Sequence, residues 1–406
     1  MAALCISPGE SVLQDAAQAF RKELQAESAS KLVWRASELQ RELMAAGATR
    51  QRTQDDSMDD SGDSSWNALA KKYWTLLQSL ESFRASYPLR SIELQHAAID
   101  ADEERHQRQE ARPNRRIHSP TPLQPLLRKG SDGSFWQTKK RPQVLFMTQI
   151  IEDLMKAHPG WNKTVGDSLH ILDIGGAKGL LAQHLALRFG SRVNVTVVDI
   201  DKSRILSGSR RAERLGSGDN LRFIAGDASE LTRSGLLDRV DVVVGLHACG
   251  GLSDVILGHA VAHGAAFVVT TCCYLSHLEL EVQASNGGVQ TRDKWLREAA
   301  SSAVETHFAP ASIAKDVALT SELLRTVSRA AELQHDPALS ALGAHTLNAI
   351  RATAVKWHWA QHWQPESLSE LHEKGSHAKP SLSVELLSFE PKYSPRNFAI
   401  VGKLIY

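Results

Sequence analysis

The sequence predicts an α/β protein whose C-terminal two thirds fold around a mostly parallel sheet. From about residue 165, short apolar runs alternate with stretches of helical periodicity, the pattern of repeated βα units. The apolar runs are rich in Val and Ile and end at Gly, Asp or Asn, which favours buried strands. A loop of small residues follows the first run and precedes a helix, a common position for a ligand-binding turn.

Five runs are predicted to be the central strands: Leu169–Ile174, Val193–Val198, Leu221–Ile224, Val240–Leu246 and Ala265–Thr270. Two further strand-like runs close the chain, Ser383–Phe389 and Phe398–Ile405. Residues of about 286–379 have helical patterns, and we predict a helical insertion before the last two strands.

The first third of the chain is predicted to be a separate helical region. The predicted domains are 1–120, helical with flexible linkers, and 121–406, which holds the sheet. Helical periodicity covers about 11–46 and resumes near Trp66, with a polar linker over 47–64. Prolines follow the charged run of residues 100–116 and would end any helix there. The helical region is a candidate surface for a protein partner.

Composition and charge say more about the cellular compartment of the protein than about the molecules it binds. The formal net charge of +1 over 406 residues gives no overall preference for nucleic acid or membranes. Of the four cysteines, three lie in two short segments, which does not resemble a disulfide framework. No apolar run approaches the roughly 20 residues that cross a bilayer. We expect a cytoplasmic protein, with the nucleus as the alternative, and no membrane partner.

The strongest motif runs from Asp173 at the end of the first strand through a loop of small residues. These residues are Gly175, Gly176, Ala177 and Gly179. A dinucleotide-binding fingerprint requires G-x-G-x-x-G, and Ala177 and Leu180 break that pattern. An acid followed by small residues at alternate positions resembles instead the cofactor loop of S-adenosylmethionine-dependent methyltransferases.

Three acids have the spacing that such a cofactor site needs. Asp173 would favour the positively charged amino acid end of S-adenosylmethionine. Asp199 ends the second strand, where a carboxylate can bind ribose hydroxyls, and Asp227 follows the third strand, within reach of an adenine amino group. The alternative is that these acids only cap helices.

Further motifs resemble a more specific group of proteins. The segments are Gly245–Asp254 with its H-x-C-G pattern, Thr271–Tyr274 with paired cysteines, Lys139–Arg141, Asn348–Arg351 and Ser394–Asn397. They resemble a methyltransferase-domain family that includes the glutathione S-transferase C-terminal domain-containing proteins and is similar to tRNA ribose methyltransferases. The resemblance covers roughly Trp136 to Tyr406 and implies a Rossmann-like, seven-stranded methyltransferase sheet. It also implies an RNA substrate, with tRNA as the class we expect.

The ends of the fourth and fifth strands are predicted to share the reaction site, because neighbouring parallel strands end at one crevice. His247 is placed there as a cofactor contact and as the acceptor of the proton released on methyl transfer. Asp254 would orient that histidine or bind substrate, and Tyr274 lies beside them. The predicted catalytic residues are these three together with Cys249, Cys272 and Cys273. A structural turn bonded through its backbone is the alternative for His247.

Cys249, Cys272 and Cys273 allow three interpretations. They are small residues lining the pocket, or one is a nucleophile of the kind used to methylate carbon 5 of a pyrimidine. Alternatively, they form a zinc site with His247, with His277 as a further ligand. The spacing is not the usual C-x-x-C, so we favour pocket lining and assign no metal.

Basic and aromatic residues precede the sheet. Lys139, Lys140 and Arg141 follow Phe135 and Trp136, a combination that can hold phosphates and stack a base. A helix start with solvated charges is the alternative interpretation.

Methyl transfer to RNA is the function we expect. A methyltransferase fold that binds cofactor or a partner protein without catalysis is the main alternative, motivated by the long helical segments. A nicotinamide-dependent oxidoreductase is a weaker one.

Overall fold

The computed structural model describes ten stretches of the chain. They are residues 62–94, 139–162, 168–215, 219–231, 239–283, 288–307, 320–333, 336–363, 380–394 and 396–406. The helix predicted over about 11–46, the charged run of 100–116, and Phe135 and Trp136 lie outside these residues.

The chain divides into two compact units. The described residues of the first unit fall within 62–88 and 293–357, and those of the second fall within 89–292 and 358–406.

Helices build the first unit. They are α1 (Gly62–Ser79), α2 (Glu81–Ser86), most of α7 (Arg292–His307), α8 (Ser321–Ala330) and most of α9 (Pro337–Trp363). The predicted helix near Trp66 and the helical character of the insertion are therefore confirmed.

Specific polar contacts fix the ends of these helices. The side chain of Thr320 accepts a hydrogen bond from the Leu323 amide at the start of α8, which satisfies one of the free amides there. The buried Arg84 guanidinium donates to the Leu77 carbonyl and to Thr346, both at 2.6 Å. Burial lowers the pKa of Arg84, but its hydrogen bonds compensate in part for the lost hydration.

The second unit is built on a large sheet. Its strands are β1 (Leu89–Ser91), β2 (Leu169–Ile174), β3 (Val193–Asp199), β4 (Leu221–Ala225), β5 (Val242–Ala248), β6 (Ala266–Thr271), β9 (Ser381–Ser388) and β10 (Phe398–Ile405). A separate two-stranded hairpin, β7 (Glu281–Gln283) with β8 (Val289–Thr291), follows β6 and was not predicted. The helices of this unit are α3 (Arg141–Ala157), α4 (Leu180–Phe189), α5 (Lys202–Leu215) and α6 (Gly251–His263).

The strand order is β1-β9-β10-β6-β5-β2-β3-β4. Strands β2 to β6 are mutually parallel, and β10 runs antiparallel to both of its neighbours. The predicted seven strands are all present, and the α/β fold with a mostly parallel sheet is confirmed. The eighth strand, β1, pairs parallel with β9 and comes from the region predicted to be separate from the sheet.

The strand order reverses between β2 and β5, which are hydrogen-bonded neighbours. Ligands of open α/β sheets bind outside the carboxyl ends of strands at such a reversal. The interior of β5 and β6 is apolar and buried, because parallel strands covered on both faces have no solvent side. Strands β5 and β6 therefore carry their polar residues, His247, Thr270 and Thr271, only toward their carboxyl ends.

Within the described residues, no helix combines the length and the apolarity that a membrane crossing requires.

Candidate functional site

The loop after β2 adopts a backbone that small residues favour. Gly175, Ala177 and Gly179 have φ values of +71°, +52° and +66°. A positive φ is uncommon for alanine, so Ala177 is held in a strained conformation. The amide of Gly175 donates to the Val198 carbonyl at 2.8 Å, which ties the loop to β3.

Neighbouring side chains lie so close to the loop that they also explain the glycines at positions 175 and 176. A Cβ on Gly176 would lie 2.5 Å from Oδ2 of Asp173, and one on Gly175 would lie 2.8 Å from Leu252. Any larger side chain would therefore displace the Asp173 carboxylate or the start of α6.

Asp173 is the most unusual acid of the unit. Its side chain is 1% exposed, and neither carboxylate oxygen has a hydrogen-bond partner among the described residues. Burial, and secondarily the charge of Asp199, raise the pKa of Asp173 to about 7. A buried carboxylate without donors is unfavourable unless something else supplies them.

Asp199 orders the same loop. Its carboxylate accepts hydrogen bonds from the amides of Ala177 and Asp201, both at 2.9 Å. The end of β3 thus holds Ala177 in its positive-φ conformation. Two predicted cofactor acids, Asp173 and Asp199, therefore both lie next to this loop.

Asp227 follows β4 and caps a short 3-10 turn, Ala228–Glu230. Its Oδ1 accepts from both the amide and the hydroxyl of Ser229 at 2.9 Å. The helix-capping alternative raised for this residue is therefore realised. The cap also fixes the orientation of the carboxylate beyond the strand end.

His247 lies on an irregular stretch at the end of β5, where the pairing with β6 shifts between Gly245 and Ala248. Its φ is +64°, and its amide donates to Oγ1 of Thr270 at 3.0 Å. The backbone is thus fixed in the way the structural alternative required, while the side chain is exposed. Surrounding protein atoms and the positive charge of Lys140 lower the pKa of His247.

Two predicted catalytic residues do not face the crevice. Asp254 and Arg292 are both 0% exposed and form an ion pair with Nε and Oδ2 at 2.8 Å. Asp254 would have to break this desolvated pair to orient His247 or touch substrate, so the prediction for it is corrected to a structural role. Tyr274 is equally buried, and its hydroxyl lies 3.2 Å from Oγ1 of Thr271.

The three cysteines are brought together. Sγ of Cys249 lies 3.1 Å from Sγ of Cys272, and the Sγ atoms of Cys249, Cys272 and Cys273 all lie within 4.8 Å of one another. Each side chain is partly accessible. The hydrogen bond with Cys272 lowers the pKa of Cys249 to about 6, and the same contact raises the pKa of Cys272.

Basic residues approach this end of the sheet from two directions. Lys140 precedes α3, and its charge acts on His247, while the Lys139 ammonium donates to the Lys392 carbonyl. Arg396 donates from Nη1 to the Cys272 carbonyl at 2.8 Å. The resemblance to the methyltransferase-domain family includes the turn that contains Arg396, but the sequence predicted no contact between Arg396 and Cys272, which are 124 residues apart.

Known proteins match the region that carries these features. Residues 139–279 match a protein family described as a methyltransferase domain. The Homo sapiens glutathione S-transferase C-terminal domain-containing protein is 28% identical over 100 residues, which are 25% of this chain and 14% of that protein. The ubiquinone/menaquinone biosynthesis C-methyltransferase UbiE of Brucella anthropi is 34% identical over 73 residues, covering 18% of this chain and 25% of that enzyme.

Solved structures align over similar fractions. TrmN from Thermus thermophilus covers 34% of this chain and 41% of its own, with 22% identity and a TM-score of 0.27. The present chain thus spans at most a quarter of the length of the two curated relatives named. Residues 139–279, with the loop after β2 and the H-x-C-G segment after β5, form a methyltransferase domain of the S-adenosylmethionine-dependent superfamily.

Proposed function

We propose that this protein transfers a methyl group from S-adenosylmethionine to RNA, with tRNA as the first class to test. The observation that carries the proposal is the buried Asp173 carboxylate beside a glycine-rich loop at the strand-order reversal, to which none of the described residues donates a hydrogen bond. This carboxylate fits a ligand that brings its own positive charge and N–H donors.

The cofactor would be held by the ends of three strands. Asp173 would bind the amino group of its amino acid end, and Gly175 and Gly176 would let the ligand approach the loop backbone. Asp199 would bind the ribose hydroxyls, since its oxygens retain lone pairs beyond the two amides they accept. Asp227 would reach the adenine amino group.

When bound, S-adenosylmethionine supplies an electrophilic methyl group on a sulfonium ion. The chain's own task is to align an acceptor atom with that methyl group and to accept one proton. His247 is suited to accept the proton, because its imidazole is exposed at the end of β5 while its backbone is fixed by Thr270. We leave Asp254 and Tyr274 out of the proposed catalytic groups, and we keep Cys249, Cys272 and Cys273 as residues of the acceptor side.

Charge near the site favours a polyanionic acceptor. Lys140 acts on His247, and Arg396 contacts Cys272 and acts on Cys273. Lys178 extends from the cofactor loop as an exposed side chain. Phosphates of a nucleic acid would be attracted to these cations although the net charge of the whole chain is only +1.

The experiment has two stages. Titration calorimetry of the full chain with S-adenosylmethionine should give one site per chain, and Asp173→Asn should weaken it. Labelled cofactor incubated with total RNA should then give nuclease-sensitive label that is lost in Asp199→Ala.

Each outcome has a separate meaning. No binding would refute the cofactor assignment. Binding without label in RNA, small RNA fractions or protein extract would refute catalysis and leave the binding-only alternative. Label that resists nuclease but not protease would replace RNA by protein as the acceptor.

A further inference from the structure

The thiols of Cys249, Cys272 and Cys273 form a compact cluster at the carboxyl ends of β5 and β6. We propose that these three cysteines bind a zinc ion. The inference does not depend on methyl transfer, because it concerns these side chains alone.

The spacing of the sulfur atoms is the first argument. Zinc bound to thiolates has Zn–S distances of about 2.3 Å in a tetrahedron, which sets neighbouring sulfurs about 3.8 Å apart. One pair of Sγ atoms lies at 3.1 Å, and the third Sγ is within 4.8 Å of both. The 3.1 Å distance lies below the tetrahedral value and the 4.8 Å limit lies above it, so shifts of about 1 Å or less would bring the sulfurs to the spacing that zinc requires.

The third thiol distinguishes zinc from the simpler alternatives. A disulfide between Cys249 and Cys272 would use two sulfurs and leave Cys273 without a function. It would also need the 3.1 Å contact to shorten to about 2.05 Å. A nucleophile would use only one thiol. A thiophilic metal uses all three, and partial access at each leaves a path for entry.

The backbone holds these cysteines in place before any ligand arrives. A Cβ on Gly250 would overlap the Ser276 carbonyl, and one on Gly251 would overlap the His277 carbonyl. The Gly251 amide donates to that same Ser276 carbonyl at 2.9 Å. The two glycines after Cys249 therefore allow the loop after Cys273 to pack directly on the turn.

A second contact fixes the other side. The Arg396 guanidinium donates to the Cys272 carbonyl at 2.8 Å, which anchors the paired cysteines to the start of β10. Three thiolates around one divalent ion carry a net charge of −1, and the nearby guanidinium compensates for it. Such preorganisation is typical of built metal sites rather than of chance cysteine neighbours.

The fourth position has one candidate in the chain. His277 belongs to the loop that packs on Gly251, has a φ of +54° and is close enough for its charge to act on Cys249. Its ring nitrogens are outside the compact cluster of the three thiols. The site is thus a three-thiolate site with a fourth position for His277 or for an exchangeable ligand.

The test uses the full chain purified in a phosphine reductant, with metal content measured by mass spectrometry. One zinc per chain is expected, and replacement with Co²⁺ should give visible bands of a tetrahedral ion and near-ultraviolet thiolate charge transfer. Cys249→Ser, Cys272→Ser and Cys273→Ser should each reduce the metal content several-fold. Cys5→Ser, which changes the only other cysteine, should leave it unchanged.

Several outcomes would overturn the proposal. The first is a wild-type chain that is purified without zinc and binds Co²⁺ without thiolate charge transfer. The second is a loss of metal in Cys5→Ser equal to that in the other serine variants. The third is a Cys249–Cys272 disulfide, detected by mass spectrometry, in metal-free protein that retains its fold. The zinc content and the Co²⁺ spectrum of the wild-type chain test the proposal without any variant, so the test remains valid even if a serine variant unfolds. Asp199→Ala, which should weaken cofactor binding, should retain full zinc, so failure of one proposal is distinguishable from failure of the other.

Discussion

The loops at the carboxyl ends of the central strands differ in how completely the chain itself satisfies them. We call the loop after β2 the first edge of the site and the loops after β5 and β6 the second edge. After β2, small residues and a buried acid that receives no hydrogen bond from the part of the chain that the structure describes leave space and charge for a ligand. After β5 and β6, loops pack tightly through glycines, an ion pair is fully buried and three thiols converge. The first edge is incomplete without a small molecule, whereas the second is largely satisfied by its own chain. Substitutions at the first edge should therefore weaken cofactor binding more than they reduce stability. Substitutions at the second edge should reduce stability more than they weaken cofactor binding.

Breaking the buried pair of the second edge should have the largest effect. Asp254→Asn leaves Arg292 charged and without solvent, so we expect the free energy of unfolding to fall by about 3–5 kcal/mol. Denaturant unfolding measures this loss. Glu298→Gln is the control, because its partner Lys294 is exposed and the pair contributes below about 1 kcal/mol. An Asp254→Asn variant of normal stability that lost only activity would return Asp254 to the catalytic groups.

The first edge should respond in the opposite sense. Asp173→Asn should weaken S-adenosylmethionine binding by roughly 100-fold, the value of a charge-assisted hydrogen bond of about 3 kcal/mol. The ligand-free variant should nevertheless be more stable than wild type near pH 8, since no buried carboxylate remains to ionise. Calorimetry and thermal unfolding measure both effects. Asp201→Asn, whose carboxylate caps α5 and pairs with Arg204, is the matched control and should keep the affinity of the wild type.

Adding a methyl group at a glycine should change cofactor affinity at the first edge, and stability and zinc content at the second. Gly176→Ala places a methyl group against the Asp173 carboxylate and should weaken cofactor binding by about tenfold or more. Gly250→Ala would collide with the Ser276 carbonyl and should instead reduce stability and zinc content. Gly226→Ala, where a Cβ meets nothing within 4 Å, should leave the stability unchanged. Equal loss of cofactor affinity in the Gly176 and Gly250 variants would contradict the separation.

The smallest expected effect is the change of cofactor affinity and of stability with pH. The cationic amino group of the cofactor binds the ionised form of Asp173, whose pKa is raised to about 7, so affinity should rise as the pH increases from 6 and level off above 7. The change should approach tenfold per pH unit on the acid side. Without ligand the sign is reversed: the folded state retains the proton more strongly than an ordinary carboxyl of pKa 3.8, so stability declines as pH rises from about 4 to 7.

Calorimetry across this range should show a flat profile for Asp173→Asn. A wild-type profile that is equally flat would show that Asp173 is not the group that binds the cation.

Local patterns predicted the first edge because its signals lie within one βα unit. The bounds of β2 and β10 agree with the prediction, and Asp173 and Asp199 lie at the ends of β2 and β3, where Asp199 accepts a hydrogen bond from the Ala177 amide of the loop after β2. The second edge depends on contacts that sequence spacing does not encode. Arg292 lies 38 residues from Asp254, and the ion pair between them makes a predicted catalytic acid structural. The three-residue strand β1 was too short to carry a periodic pattern.

The strand β1 has a consequence for anyone who trims the chain. It covers the outer side of β9 through the pairs Leu89–Leu386, Arg90–Leu387 and Ser91–Ser388, and the Arg90 guanidinium bonds Glu385 at 2.7 Å. A fragment that began at residue 139, where the family match begins, would leave these backbone groups of β9 without partners. Such an open border can recruit the same strand from another copy, so the trimmed protein would tend to self-associate even with its cofactor loop intact.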